Sequence, residues 1–486
     1  MKKKIFSLVL LFVLFGNPFS FTFAKSKVIY ERSENLAKQY IENSLNDDNW
    51  KGKNPYISGE GKKFYTDDEK NPSYIEFKIS CDNEINCGFI LVNSDGNDVV
   101  VPIASTSGIG PGELLSLQNE EKINNKNKEN KTNKKSNNKL YYFGPMEQYS
   151  IDEENEEVIS INPQDEIDLV IENDKTLKKE DKEKQKLKAK QELKNRINDY
   201  KIKAKEYKKS DEFKKHKEEI KDQILKMPKE EFVFEKLDMA FADETPEYST
   251  IYNSPGASNI FVSGSNSSDC NSRTPCYNQF TSSYTAPVPY TTAVCYSGCS
   301  PTAVAILFGY YDRNGLIDLV TGTAPSAGVG TTVQTLVNSI KSHIGTSCVR
   351  KGTTNIYYGS TTPSNVYKAK QYALDKGYTK TTSSYITGNI STLFTEIKLE
   401  IDSNRPIITH MKNLSDNTEG HATVTYGYKS SPSNSNVVLM NMGWGNITVN
   451  GTTTTFSSIN QNLGAIYYGG ANNKTVYAIT KFNIKK

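Results

Sequence analysis

The chain has 486 residues, 59 Lys/Arg against 56 Asp/Glu, a formal net charge of +3 and seven cysteines. That near balance excludes the one-signed surface of a nucleic-acid binder. It hides an asymmetry: residues 241–486 hold only 17 Lys/Arg and 12 Asp/Glu, so charge of both signs is concentrated in the N-terminal half.

Taken in chain order, Met1-Lys-Lys-Lys, the apolar run Ile5–Phe15 and Thr22-Phe-Ala24 have the layout of a signal peptide over residues 1–24. Its apolar run is too short to span a bilayer, and no longer one follows, so a secreted, extracellular product with no stable membrane span is expected. Disulfides belong in that compartment. Cys81 with Cys87 and Cys270 with Cys276 could each close a small loop. Cys295 and Cys348 would then pair and leave Cys299 free; a Cys295–Cys299 bridge is the rival arrangement.

A short amphipathic helix is predicted over 33–45, and strands over 73–80, 88–97 and 99–104 form a meander with Asp-Asn and Asp-Gly turns. Residues 120–138 are almost wholly Lys, Asn, Glu and Ser, too polar to fold, and are expected to be an exposed linker before order resumes at Tyr141. Residues 25–165 thus read as a small sheet-containing domain. Residues 166–235 are Lys/Glu-rich, with apolar spacings of three, four and seven from Leu193 onward that predict a long helix or helical hairpin. Periodicity does not choose between an inhibitory segment and a solvated spacer there.

Residues 236–486 form the third part. Loops rich in Ser, Thr, Asn and Tyr precede a buried helix over 301–311, where Pro301 is tolerated in the first turn and Asn314-Gly315 supplies a stop. Helices over 332–343 and 366–376 follow, then strands over 406–411, 422–428, 437–440, 465–468 and 475–482. The fold class is α+β.

Cys299 lies on a Gly-containing turn at the start of the first of those helices. Backbone N–H groups at a helix start favour a thiolate, which predicts a lowered thiol pKa. A base is sought among four histidines. His216 sits among polar neighbours and His343 ends a helix. His410 ends one strand; His421 opens another beside Gly420, a position that favours it. Imidazole takes the thiol proton and returns it to a leaving amine, provided its far N–H is held by an acceptor. Asn441, before Met442-Gly443-Trp444-Gly445, is placed for that role; an Asn-x-Gly turn over a core tryptophan is the plainer reading. Metal binding fits poorly: Cys295-x3-Cys299 has no matching pair nearby, and Asp312–Asp318 is better read as a helix-terminating turn than as a calcium loop.

Gly298-Cys299-Ser-Pro-Thr-Ala-Val-Ala, Gly420-His421-Ala-Thr-Val and Asn441-Met-Gly-Trp-Gly, in this order, resemble the motifs of streptopain-type and related papain-fold cysteine peptidases. The resemblance covers about 286–486. It implies a papain-like domain over 236–486, Cys299 as nucleophile, His421 as base and Asn441 as its orienter, with no cofactor or metal. It also implies a secreted proenzyme acting on protein or peptide substrates, with the N-terminal domain as intramolecular inhibitor. Two positions depart from the family pattern. Ala293 stands where the oxyanion glutamine six residues before the cysteine is usual, so the donor must come from Gln279, the Tyr296–Ser297 region or a backbone amide. Met442 replaces the first tryptophan of the turn. An inactive binding module, or a thiol acyltransferase or deamidase with the same triad, are the alternatives.

Overall fold

The computed structural model describes residues 18–43, 45, 50–94, 102–105, 108–130, 138–144, 147–153, 157–162, 165, 178–211, 213–214, 259–261, 275–277, 279, 283–285, 294–322, 324–325, 327–328, 331–350, 357–413, 420–429, 437–449, 452–455, 459–462 and 474–486. The N-terminal half opens with α1 (Pro18–Asn43), β1 (Tyr56–Ile57), β2 (Lys62–Tyr65), β3 (Tyr74–Cys81), β4 (Glu84–Asn93) and β5 (Ile103–Ser105). It continues with α2 (Pro111–Asn130), β6 (Asn138–Tyr142), β7 (Gln148–Asp152), β8 (Glu157–Ser160) and α3 (Lys179–Lys209).

The expected meander is the antiparallel set β3–β4–β5. Alternation along β3 sends Ile75, Phe77 and Ile79 to a cluster with Leu36, Ala37, Tyr40 and Ile41 of α1, while Tyr74 joins Phe64, Phe89 and Leu91 on the other face. The first helix begins at Pro18 rather than Ser33.

Residues 120–130, expected as unfolded linker, instead continue α2. The carboxylate of Glu76 accepts the N–H groups of Gly112 (2.8 Å) and Glu113 (3.1 Å), and Leu114 and Leu115 are fully buried. With its first turn capped and docked, the costly nucleation step is met, and each further residue adds a helical hydrogen bond.

α3 is one helix whose buried residues Ile197, Tyr200, Ala204 and Tyr207 follow the predicted spacing. Ile197, Tyr200 and Ala204 pack on Tyr141, Phe143 and Tyr149 of the N-terminal sheet, and Arg196–Asp165 (2.6 Å) and Lys208–Asp67 (3.1 Å) pin it there. It braces that sheet.

The C-terminal half runs β9 (Asn259–Phe261), β10 (Cys276–Tyr277), β11 (Ser283–Thr285), β12 (Val294–Tyr296), α4 (Cys299–Arg313), β13 (Ala327–Gly328), α5 (Thr331–Ile344), β14 (Ser347–Arg350) and β15 (Tyr357–Ser360). A 3-10 helix, Pro363–Ala369, leads into α6 (Lys370–Asp375), β16 (Thr382–Thr387), α7 (Ile390–Asp402), β17 (Ile407–Asn413) and β18 (Gly420–Lys429). Last come β19 (Val437–Asn441), β20 (Asn446–Val449), β21 (Thr452–Thr455), β22 (Ile459–Asn462) and β23 (Lys474–Asn483). The strand expected at 465–468 lies outside the described residues. Helices and sheets are mixed, and the class is α+β.

α4 is buried on every side from Thr302 to Tyr310, which explains why that stretch carries no charge. Asp312 ends it by accepting the N–H groups of Val320 (3.0 Å) and Ala324 (2.9 Å), so both carboxylate oxygens serve the turn. Among the described residues one sheet has the order β16–β23–β17–β18–β19–β22–β5–β4–β3–β2–β6–β7–β8. The two halves meet where Ile459 of β22 pairs with Ile103 of β5. One apolar cluster runs through the joint, from Phe89, Leu91 and Leu114 to Ile306, Val424 and Met440. Cys81–Cys87 and Cys295–Cys348 are bridged and Cys299 is free; Cys270, of the third expected pair, lies outside the described residues. No described helix is long and apolar enough to cross a membrane.

Candidate active site

β12 runs parallel to β15, which sets Gly298 against Gly359. A Cβ on Gly298 would collide with the Gly359 carbonyl oxygen, and its φ of +84° is one that favours glycine. The Cys295–Cys348 bridge ties β12 to β14, the antiparallel partner of β15. The chain is thus forced through a sharp turn that makes Cys299 the first residue of α4, half-buried. The backbone N–H of Ala422, the Ser300 hydroxyl and the N–H groups of Cys299 and Ser300 lie near enough to its thiol to favour the thiolate.

Ala422 follows His421 in β18, so the thiol sits by the backbone next to the residue that carries the imidazole. The His421 ring stacks on Trp444, centroids 5.4 Å apart and planes 15° from parallel. Its Nε2 is 3.1 Å from the Met442 carbonyl oxygen. A carbonyl only accepts, so Nε2 carries the proton and Nδ1 has a free lone pair. Asn441 makes no hydrogen bond to the ring here. Its Oδ1 accepts the Gly443 N–H (3.0 Å) and its Nδ2 donates to the Pro275 carbonyl (3.0 Å). It holds the turn that presents the Met442 carbonyl, and the ring is oriented by the backbone rather than by the expected amide.

Gln279 closes the site. Its N–H donates to the Gly443 carbonyl (2.9 Å), and its own carbonyl accepts from Ser297 Oγ (2.9 Å), two residues before Cys299. Ser297 Oγ also meets Thr302 Oγ1 (3.2 Å) in the first turn of α4. The Gln279 side chain is buried and its Oε1 has no hydrogen-bond partner among the described residues. Ala293 lies outside the described residues. The sequence leaves Gln279 as one of several candidate donors, because twenty residues separate it from Cys299 and only the fold brings them together.

Burial pushes the Cys299 thiol up, against the opposing pull of the Ala422 N–H, the Ser300 hydroxyl and the helix-start N–H groups. The expected lowering is therefore reversed: desolvation outweighs the helix terminus. Burial, then the nearby Lys474 ammonium, hold the His421 imidazole down to about 3, with the Met442 carbonyl opposing. Both shifts favour the neutral form of the group.

The other histidines stand apart. His410 is buried, 2.8 Å from Thr480 Oγ1 through Nε2, and burial holds it down to about 3. His343 Nε2 lies 3.5 Å from Asp375 Oδ2. His216 lies outside the described residues.

A family model, the Peptidase_C39 like family, matches residues 272–468, the stretch that holds Gln279, Cys299, His421 and Asn441. That match supports a cysteine-peptidase-type function. Among solved structures the chain is similar to a fragment of prointerpain A from Prevotella intermedia, at 11% identity over 87% of this chain and 98% of that one. The TM-score is 0.33, too low to carry an argument. No curated protein matches the chain.

Proposed function

We propose that this chain is a secreted, papain-like cysteine endopeptidase of streptopain type, made as a proenzyme. The observation that carries the reading is a free thiol at a helix start, near the N–H of Ala422, the residue after His421, whose Nε2–H is fixed by the Met442 carbonyl. The Cys299 proton passes to His421 Nδ1 as sulfur attacks the peptide carbonyl carbon. The imidazolium then protonates the leaving amine, and water hydrolyses the thioester. The Cys299 backbone N–H and the Gln279 amide stabilise the oxyanion. Asn441 is the third member of the triad and acts through the turn.

The proenzyme reading is supported by burial, which shifts both the thiol and the imidazole toward their neutral forms and so disfavours the nucleophile. It is also supported by the packing of α2 on β20 and β21, directly after the Trp444 turn. Residues 1–24 supply the export signal. The test is the mass of the purified chain over time, beside Cys299→Ala. Self-trimming to roughly the residues beyond 230, and epoxide labelling of the thiol, are expected only with Cys299 present. A chain that neither trims, nor labels, nor cleaves casein under reducing conditions is a binding module and not a peptidase.

A further inference from the structure

β23 carries one residue more than the strand opposite it. His410 of β17 pairs with Ala478 and Met411 with Val476, which leaves Tyr477 bulged out between them. A bulge releases a side chain from the ladder and re-aims it. The Tyr477 hydroxyl lies close enough to that of Tyr385 on β16 for each to shift the other's proton affinity. Tyr385 in turn lies edge-on to His410, centroids 5.6 Å apart, and Lys412 Nζ sits 5.4 Å from the Tyr477 ring centre.

These side chains share the α4 face of the sheet. His410 reaches Thr480 across it, and Phe482, two residues on, meets Phe308 of α4 at 5.6 Å. His410 also pairs with Ala422 of β18, whose N–H lies near the Cys299 thiol. Tyr477 therefore emerges two strands from the thiol's own contact, about 10 Å at the usual strand spacing. A tyrosine directed along that row spans most of the gap. After burial and Tyr385, Cys299 is among the groups that raise the Tyr477 hydroxyl.

We infer that Tyr477 is a substrate-contacting residue, whose hydroxyl, steadied by Tyr385, lines the space beside Cys299 and hydrogen-bonds the main chain of a peptide lying across the thiol. A phenol hydroxyl both donates and accepts, so even with Tyr385 beside it one role stays open. An extended peptide offers a partner of either kind. This inference rests on the peptidase reading above.

The test uses the full chain under reducing conditions with fluorescent casein, comparing wild type, Tyr477→Phe and Tyr385→Phe. Losing one uniformly used hydrogen bond raises KM about three- to tenfold with little change in kcat. Tyr385→Phe raises it less, because Tyr477 stays but is no longer steadied. Melting temperature is followed in parallel, since a merely structural tyrosine would shift it and leave KM alone. If wild type cleaves casein and Tyr477→Phe has the wild-type KM, the inference is wrong while the peptidase reading stands. If wild type neither cleaves nor labels at Cys299, both fall.

Discussion

Replacing Asn441 by alanine separates two ways in which this residue could serve His421. In the structure its amide satisfies the buried Gly443 N–H and the Pro275 carbonyl, and the turn so held offers the Met442 carbonyl to His421 Nε2. Asn441→Ala leaves both partners unpaired at a site only 1% exposed. Each unmet buried group costs about 1–3 kcal/mol, so the loss is about 2–6 kcal/mol. At about 2–4 °C per kcal/mol, the melting temperature falls by roughly 4–24 °C. The freed Met442 carbonyl no longer fixes the tautomer, and a misplacement of about 1 Å lowers turnover by about 10². Differential scanning calorimetry and casein kinetics, run on the same preparation, read both effects. Turnover lost with melting unchanged would mean that the amide acts on the ring directly. Melting lowered with turnover intact would mean that the turn does not hold the ring. Either outcome refutes the coupling.

Gln279→Ala should lower kcat by about 10²–10³ while epoxide labelling of Cys299 persists, because an oxyanion donor is lost and the nucleophile is not. Gly298→Ala should cost at least about 1–2 kcal/mol from its positive φ alone, with a further loss from the Gly359 contact, and slow both labelling and turnover; thermal melts and labelling rates check it. His410, held neutral down to about 3 against an ordinary value near 6.5, makes stability fall as pH drops through that window. By pH 4 its share is about 3 kcal/mol, and His410→Gln should flatten the acid limb of a pH–melting curve by that amount.

The elements that were legible are those whose apolar pattern survives in one dimension. α4, α5, β17, β18, β19 and β23 follow predicted segments because each buries a face or a whole circumference. α7 escaped, although Asn389 caps it by accepting the Thr392 N–H (2.9 Å) and Leu393, Phe394, Ile397 and Ile401 line one side. Its Ser/Thr-rich start resembles the surrounding loops. α2 escaped because its cap, Glu76, comes from a strand thirty-six residues away. Within the site, residue types marked Cys299, His421 and the Asn441 turn, but a backbone carbonyl such as that of Met442 has no signature in sequence. The thiol's raised proton affinity is illegible for a related reason: helix position is local, whereas burial is a property of the whole fold. Tyr477 was hidden because a bulge is defined by the partner strand.

The joint between the halves has a mechanical consequence. Across it the described residues pair only at Ile103 and Ile459, whereas β3 and β4 pair along nearly their whole length. The sheet is thus a ribbon with one weak seam, and the seam lies between the N-terminal module and the strands that carry the site. Parting it breaks little ladder and takes β5 away from an edge of β22 that it pairs at Ile459 alone. A chain freed of its N-terminal half would carry that edge uncovered, open to a strand of another molecule.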